Sequence, residues 1–266
     1  MSQESFSPNL LAGKSAFITG GTSGINLGIA KRFARFGASV AVLGRKEEKA
    51  NAAGEEIRAI AGSGAKVLAV TADVRDYDAV AGRISEVKDE FGALDILVCG
   101  AAGNFPAPVA AMSSNGFKAV MDIDTLGTFN ATRAAFEHLT KPGGVVLNIS
   151  APQAFMPVPL QAHVCAAKAG VDMLTKTLAM EWGPLGIRIN SLAPGPVDGT
   201  EGMARLAPSE EARKKTEDSV PLRRMAQIDE MAEVALFLCS PAAAYITGAV
   251  LVADGGWSLG GASGFL

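Results

Sequence analysis

Short apolar runs alternate with helix-period segments along most of this 266-residue chain. The apolar runs predict strands at residues 15–19, 39–43, 66–71, 94–99, 144–148, 188–192 and 250–252. Segments with helical periodicity lie between them, at residues 25–36, 46–61, 76–90, 115–139, 162–182 and 228–239. Strands that alternate with helices of this length are typical of right-handed βαβ units and a parallel sheet. Runs this apolar are expected where helices cover both faces of the sheet.

We therefore predict an α/β fold, a Rossmann-like doubly wound parallel sheet in a three-layer αβα arrangement. A single domain over residues 1–266 accounts for the length, because no linker, repeat or low-complexity tract interrupts the pattern. One polar, helix-prone insert, at about residues 200–217, precedes the penultimate helix. Sheets of this type bind ligands at the carboxyl ends of their strands, so we expect the insert to form a lid over a substrate.

Composition argues against several classes of partner. The net charge is −3 and acidic residues are mixed with basic ones, unlike a nucleic-acid or polybasic membrane surface. Three cysteines show no metal-binding spacing, so we expect no metal site. No apolar run reaches the roughly 18 residues of a membrane span. A polar start and an odd cysteine number indicate the reducing cytoplasm, and residues 264–266 match the peroxisomal Ser-Lys-Leu signal poorly.

A glycine-rich segment, Thr-Gly-Gly-Thr-Ser-Gly at residues 19–24, joins the first predicted strand to the first predicted helix. Glycines permit a tight turn and a close approach to a pyrophosphate, and the helix N-terminus offers free N–H groups. This position in an α/β series predicts a dinucleotide site formed by Gly20, Gly21, Thr22, Ser23, Gly24 and Ile25. Asn26 replaces the third glycine of the pattern, and asparagine tolerates unusual backbone angles better than most residues.

The end of the second predicted strand indicates which dinucleotide binds. An acidic residue there would bind the ribose 2′-hydroxyl of NAD, but the chain has Gly44 followed by Arg45. A guanidinium suits the 2′-phosphate of NADP through paired, charge-assisted hydrogen bonds. Arg45 therefore predicts NADPH as the cofactor, the alternative being an ordinary solvated residue at a helix start.

Together with Lys168 and the sequence Ala-Pro-Gly-Pro-Val at residues 193–197, these motifs resemble those of the short-chain dehydrogenase/reductase family. Longer strings, including Ala-Ala-Gly-Asn-Phe at residues 101–105 and Pro-Gly-Pro-Val-Asp-Gly-Thr-Glu-Gly at residues 194–202, are similar to its peroxisomal-type 2,4-dienoyl-CoA reductases. The resemblance covers about residues 10–256 and implies an NADPH-dependent oxidoreductase. It also implies cofactor contacts at Asp73, Val74, Lys168, Pro194, Gly195, Pro196, Val197 and Thr200.

The usual catalytic set of the broad family is Asn, Ser, Tyr and Lys, and only the lysine is present here, as Lys168. Val164 replaces the tyrosine, Ala151 the serine and Asp124 the asparagine. The peroxisomal-type reductases also lack the tyrosine and carry the aspartate. The resemblance therefore implies catalytic roles for Asp124 and Lys168.

These replacements bear directly on the reaction. In carbonyl reduction the tyrosine protonates the forming alkoxide, and a positioned general acid contributes about 10²–10⁴ in rate. Hydride addition to C5 of a dienoyl thioester instead spreads charge to the thioester oxygen, and carbon C2 is protonated later. We therefore predict NADPH-dependent reduction of 2,4-dienoyl-CoA to enoyl-CoA, in the degradation of unsaturated fatty acids. The alternatives are another enoyl- or 3-oxoacyl-thioester reductase of the same family, and a catalytically silent NADPH-binding subunit.

Residue roles remain open at several positions. Asp124 could hold an ordered water that protonates C2, or donate a hydrogen bond to the thioester oxygen when it is protonated. Lys168 is expected to bind the nicotinamide ribose, as in the relatives. His163, next to the tyrosine position, is either a substitute acid or a packed residue. Cys99 and Gly100 depart from both groups, because an asparagine usually follows the fourth strand.

The resemblance also implies contacts with CoA, at Arg75, Phe105, Ser113, Ser114, Asn115 and Arg205. Arginines suit a ligand with several phosphates. Residues 152–160, Met203 and Leu206 would supply apolar surface for an acyl chain. The relatives form tetramers, so we expect a homotetramer that binds an acyl-CoA thioester and NADPH, with no nucleic-acid or membrane partner.

Overall fold

A computed structural model of the chain describes residues 6–260 and contains the predicted parallel sheet. Its strands are β1 (Ser15–Thr19), β2 (Ser39–Gly44), β3 (Val67–Thr71), β4 (Ile96–Cys99), β5 (Val145–Ile149), β6 (Arg188–Pro194) and β7 (Val250–Ala253). They are ordered β3-β2-β1-β4-β5-β6-β7, and every neighbouring pair is parallel. The order reverses between β1 and β4, which is the switch point where sheets of this type bind ligands.

Helices cover both faces of the sheet. They are α1 (Gly24–Arg35), α2 (Glu47–Arg58), α3 (Tyr77–Phe91), α4 (Ser114–Met121), α5 (Gly127–Ala135), α6 (Ala162–Trp182), α7 (Glu201–Leu206), α8 (Glu210–Ser219) and α9 (Ile228–Cys239). One core layer joins α1, α2 and α9 to the sheet, and the other joins α3, α5 and α6 to it. Neighbouring residues of β1 show the alternation, because Ile18 belongs to the first layer and Phe17 to the second. The three-layer αβα prediction is confirmed.

The segment predicted as a helix over residues 115–139 is helical from Ser114 to Ala135, but it is not α-helical throughout. A π-helical turn, Asp122–Leu126, separates α4 from α5. Thr128 Oγ1 donates to the carbonyl oxygen of Asp124 at 2.6 Å, and a methyl group on Gly127 would lie 2.7 Å from Val74 Cγ2. The absence of a side chain at Gly127 therefore allows the widened turn to pack against Val74, in the loop that follows β3. Turns of this kind often occur at functional sites, and this one carries Asp124 inside the protein.

The insert at residues 200–217 contains α7 and most of α8. Thr200 Oγ1 accepts from Met203 N and Ser209 Oγ accepts from Ala212 N, both at 3.2 Å. Such N-cap bonds satisfy free N–H groups in the first turn and explain why two short helices begin there. No helix within residues 6–260 is long and apolar enough to cross a membrane. Residues 264–266, which entered the prediction of location, lie outside the described residues.

Candidate active site

A cleft of about 860 Å³ opens at the carboxyl ends of the strands. Its volume falls within the range of roughly 300–1,000 Å³ that small-molecule sites occupy. The glycine-rich turn after β1, the end of β2 and the segment at residues 100–104 after β4 form one side. The end of β5, Lys168 of α6, the segment after β6 and α7 form the rest. The cleft thus spans the switch point of the sheet.

The turn after β1 packs closely on the segment after β4 and presents the N-terminus of α1. Gly20 has a φ of +66°, and a methyl group there would lie 2.8 Å from Ala101 Cα. Ser23, the N-cap of α1, makes no side-chain capping bond, and the first turn of α1 contains no acidic residue. The amide groups at this helix end are therefore suited to bind an anion such as a pyrophosphate. Gly21 does not line the cleft, because its α-carbon faces Val42 in the core.

The other residues predicted to bind the cofactor line this one cleft. They are Gly20, Thr22, Ser23, Gly24, Ile25, Arg45, Asp73, Val74, Lys168, Pro194, Gly195, Pro196, Val197 and Thr200. Arg45 is exposed at the mouth, beside Lys46 and Lys49. Neither lysine was among the predicted cofactor residues, although both lie within four residues of Arg45, at the start of α2. Lys49 also pairs with Glu201 of α7 at 3.1 Å.

A buried ion pair forms the floor of the cleft. Lys168 Nζ lies 3.2 Å from Asp124 Oδ2 and donates to the carbonyl oxygen of Ile149 at 2.9 Å. Asp124 Oδ1 accepts from Gly103 N at 2.7 Å. Lys168 lines the cleft, whereas Asp124 is buried behind it and does not. The arrangement presents an ammonium group to a ligand and holds that group with a carboxylate.

No hydroxyl takes the place of the tyrosine. Val164 is buried and packs against Val120 and Ala167, away from the cleft, which Ala151 lines. The His163 ring is fully buried, with its centroid 4.4 Å from that of Phe105. Within the described residues, neither ring nitrogen of His163 bonds to another side chain. Burial lowers the pKa of His163. These features place His163 in the packed interior and outside the lining of the cleft.

Polar groups continue behind Lys168. Asp172, one helical turn later, is buried, and this burial raises its pKa, while the hydroxyl groups of Ser150 and Ser191 lower it. Thr175 lies 2.8 Å from both Asn148 Nδ2 and Ser191 Oγ. The network is only partly satisfied, because Asp172 Oδ1, Ser150 Oγ and Asn148 Oδ1 are buried without a hydrogen-bond partner in the described residues.

Of the residues predicted to contact CoA, Arg205 lines the cleft and donates to the carbonyl oxygen of Asn104 at 3.1 Å. Arg75 does not line the cleft; its Nε and Nη2 donate to the two carboxylate oxygens of Asp73, at 2.9 and 2.6 Å. Phe105 packs on His163. The remaining three are exposed at the start of α4, away from the cleft: Ser113, Ser114 and Asn115.

The sequence analysis also missed polar and aromatic residues that line the cleft. Gln153 Nε2 donates to Gln161 Oε1 at 3.1 Å, and Trp257 closes one end. Asn104 belongs to a string that carried the family resemblance, so its position was available as a signal. The glutamines had no such signal, because an isolated glutamine is common on protein surfaces.

Comparisons with known proteins agree with this geometry. A family model described as enoyl-(acyl carrier protein) reductase matches residues 20–258. The peroxisomal 2,4-dienoyl-CoA reductase [(3E)-enoyl-CoA-producing] of Pongo abelii is 46% identical, over 94% of this chain and 86% of that protein. The protein of the same name from Saccharomyces cerevisiae is 42% identical, over 98% and 89%.

Solved structures show the same fold. A short chain dehydrogenase from Bacillus anthracis superposes with a TM-score of 0.82 at 40% identity, covering 92% of this chain and 96% of that one. A dehydrogenase/reductase from Sinorhizobium meliloti gives 0.85 at 34% identity, covering 94% and 97%. The chain therefore belongs to the short-chain dehydrogenase/reductase family, in the group that contains the peroxisomal 2,4-dienoyl-CoA reductases.

Proposed function

We propose that the protein is an NADPH-dependent 2,4-dienoyl-CoA reductase. The observation that carries the proposal is the Lys168 ammonium group, which lines the cleft beside the glycine-rich turn, while Ala151 and Val164 replace both hydroxyl groups of a carbonyl reductase. The relatives named above are reductases of this type and are described as producing (3E)-enoyl-CoA. Such a product fits hydride addition at C5 followed by protonation at C2.

The residues present fit NADPH. Free amide groups of α1 suit its pyrophosphate, and Arg45, Lys46 and Lys49 form a cationic cluster suited to a 2′-phosphate. When bound, the cofactor supplies the hydride. Family membership supports a nicotinamide dinucleotide, and the cationic cluster supports NADPH over NADH.

The chain's own residues then have distinct tasks. Lys168 Nζ keeps one bond to Ile149 O and one ion pair to Asp124, which leaves its remaining proton for a ligand in the cleft. An ammonium at this position can donate to a ribose hydroxyl of the cofactor. Its positive charge also stabilises negative charge on the thioester oxygen of the substrate, or on a water near substrate C2. Asp124 is buried behind Lys168, so we assign it to holding the lysine. Direct hydrogen bonding of Asp124 to the substrate receives no support from this geometry.

Comparison of two thioesters of equal length tests the reaction. NADPH consumption with 2,4-hexadienoyl-CoA should exceed that with 3-oxohexanoyl-CoA by a factor of about 10² or more, because only the ketone needs the missing alkoxide acid. Comparable rates on the two would favour a 3-oxoacyl-thioester reductase. NADPH binding without turnover of either, or of a 2-enoyl-CoA, would favour the silent subunit.

We propose that the insert with α7 and α8 forms the substrate lid. Arg205, Met203 and Leu206 of α7 line the cleft, which supports contacts with CoA phosphate and an acyl chain. Opening of α7 would have to break the bond of Arg205 to Asn104 O. Substrate-dependent protection of residues 201–206 in hydrogen exchange tests this role.

We also propose a homotetramer. Apolar side chains on the outer surfaces of α5 and α6 support it, since Phe129 and Met180 are 43% and 82% exposed. Exposed apolar surface of this kind is common at interfaces between subunits. Light scattering on the purified protein should give a mass four times that of the chain; a monomeric mass would exclude the assembly.

A further inference from the structure

Two departures from the family's sequence pattern lie in contact with each other. Asn26 replaces the third glycine of the glycine-rich turn, and Gly100 follows β4 where the usual pair carries an asparagine. Asn26 Nδ2 donates to the carbonyl oxygen of Gly100 at 2.7 Å. Because that carbonyl can only accept, it fixes which end of the carboxamide faces it. The amide therefore ties the start of α1 to the end of β4.

The contact is also steric. A methyl group added to Gly100 would overlap the carboxamide of Asn26. The side chain of Asn26 thus fills the space that a side chain at position 100 would need. Asn26 as a whole is half-buried and lines the cleft, but its Oδ1 is buried and without a hydrogen-bond partner in the described part of the chain. Glycine at position 100 therefore leaves room for the carboxamide of Asn26, and that carboxamide fills the space beside Gly100.

The segment that Asn26 holds leads directly to the reducing centre. Thr19 Oγ1 accepts from Gly100 N at 3.1 Å, and three residues later Gly103 N donates to Asp124 Oδ1 at 2.7 Å. Residues 100–104 all line the cleft. The segment is therefore fixed at one end by the dinucleotide turn and at the other by the carboxylate that pairs with Lys168.

We propose that Asn26 is a positioning residue, which seats residues 100–104 and through them sets the position of Asp124 and Lys168. Its effect on turnover rests on the proposed reductase function, whereas its effect on the segment does not. Asn26 by itself requires glycine at position 100, because a Cβ there would overlap its carboxamide.

A double-substitution cycle with Asn26→Gly and Gly100→Ala tests the proposal. Asn51→Gly, at an exposed position within α2, is the matched control for the cost of glycine in a helix. Asn26→Gly should lower kcat by about tenfold relative to the control, the equivalent of one lost buried hydrogen bond. Hydrogen exchange of residues 100–104 should become faster than in the control.

Gly100→Ala should be harmful in the unmodified protein, where Asn26 is present, and nearly harmless in the Asn26→Gly background. The proposal predicts that the double variant has a higher melting temperature and a higher kcat than Gly100→Ala alone. It is overturned if Gly100→Ala is equally harmful in both backgrounds, or if Asn26→Gly matches the control in both exchange and kcat. If the unmodified protein reduces no dienoyl-CoA, the proposed function fails, but exchange and melting temperatures still decide this inference.

Discussion

The buried ion pair of Asp124 and Lys168 should contribute measurably to stability as well as to turnover. The two side chains are 0% and 8% exposed and lie 3.2 Å apart. Asp124→Ala leaves the Lys168 ammonium with Ile149 O as its acceptor and leaves Gly103 N without its partner. Breaking a buried pair by removing one member costs about 3–5 kcal/mol, because the other charge stays buried and uncompensated.

That cost converts to a melting temperature through the size of the chain. With an entropy of unfolding of about 2.1 cal/mol/K per residue, a chain of 266 residues has roughly 0.56 kcal/mol/K. Asp124→Ala should therefore lower the melting temperature by about 5–9 °C. Asp122→Ala is the matched control, since Asp122 lies in the same π-helical turn but pairs with Lys118, which is 69% exposed. Its effect should be within about 2 °C, as for other surface ion pairs.

The assay is thermal unfolding followed by circular dichroism, with NADPH titrations and turnover on the same samples. The double variant Asp124→Ala/Lys168→Met should regain at least half of the lost stability, because no uncompensated charge remains. NADPH affinity should fall more for Lys168→Ala than for Asp124→Ala, since only Lys168 lines the cleft. Equal melting temperatures for Asp124→Ala and Asp122→Ala would refute the reasoning.

Three further outcomes follow from the charges and pKa values of other residues. Arg45→Asp should weaken NADPH binding and favour NADH, because it removes a cation near the 2′-phosphate; equal kcat/KM for both cofactors in the unmodified protein would contradict this. Burial raises the pKa of Asp172 above 3.8, so the folded protein loses stability as pH rises from about 3.8 through the raised pKa. Asp172→Asn cannot ionise and should gain stability relative to the unmodified protein over this pH range, as measured by urea titrations. A difference that stays constant with pH would count against it. Arg224 lowers the pKa of Glu230 from 4.5 to about 2, so the stabilisation is complete above pH 4.5 and is lost as pH falls to about 2. At low salt, Glu230→Gln should reduce the change in the free energy of unfolding between these pH values. An unchanged pH dependence would exclude this role of Glu230.

Much of the fold could be predicted from local pattern, since apolar runs with little polar interruption occur where a strand is covered on both faces. Leu94 is an exception: it is fully buried and lies in the apolar run predicted as a strand, but it is not part of that strand. The strand itself begins at Ile96, and Leu94 forms an isolated bridge with Leu139. Burial alone therefore does not distinguish a ladder residue from one that packs beside it.

The sequence by itself determined the αβα architecture, the glycine-rich turn and the absence of the family's tyrosine and serine. These three conclusions depend on residue type and on spacing along the chain, which are the same however the chain packs. It also indicated Arg45 as the cation after β2, because the connection from strand to helix there is short.

Only the tertiary structure decided which of the predicted residues meet. The π-helical turn that carries Asp124 toward Lys168 depends on the packing of Gly127 against Val74, a contact between distant parts of the sequence. The pairing of Asn26 with Gly100 likewise joins two residues 74 positions apart. A single widened turn shifts the apolar positions after it by only one residue, which local periodicity does not distinguish from a continuous helix. Long-range packing was therefore needed to show that two isolated sequence anomalies form one structural unit and that Asp124 lies behind Lys168.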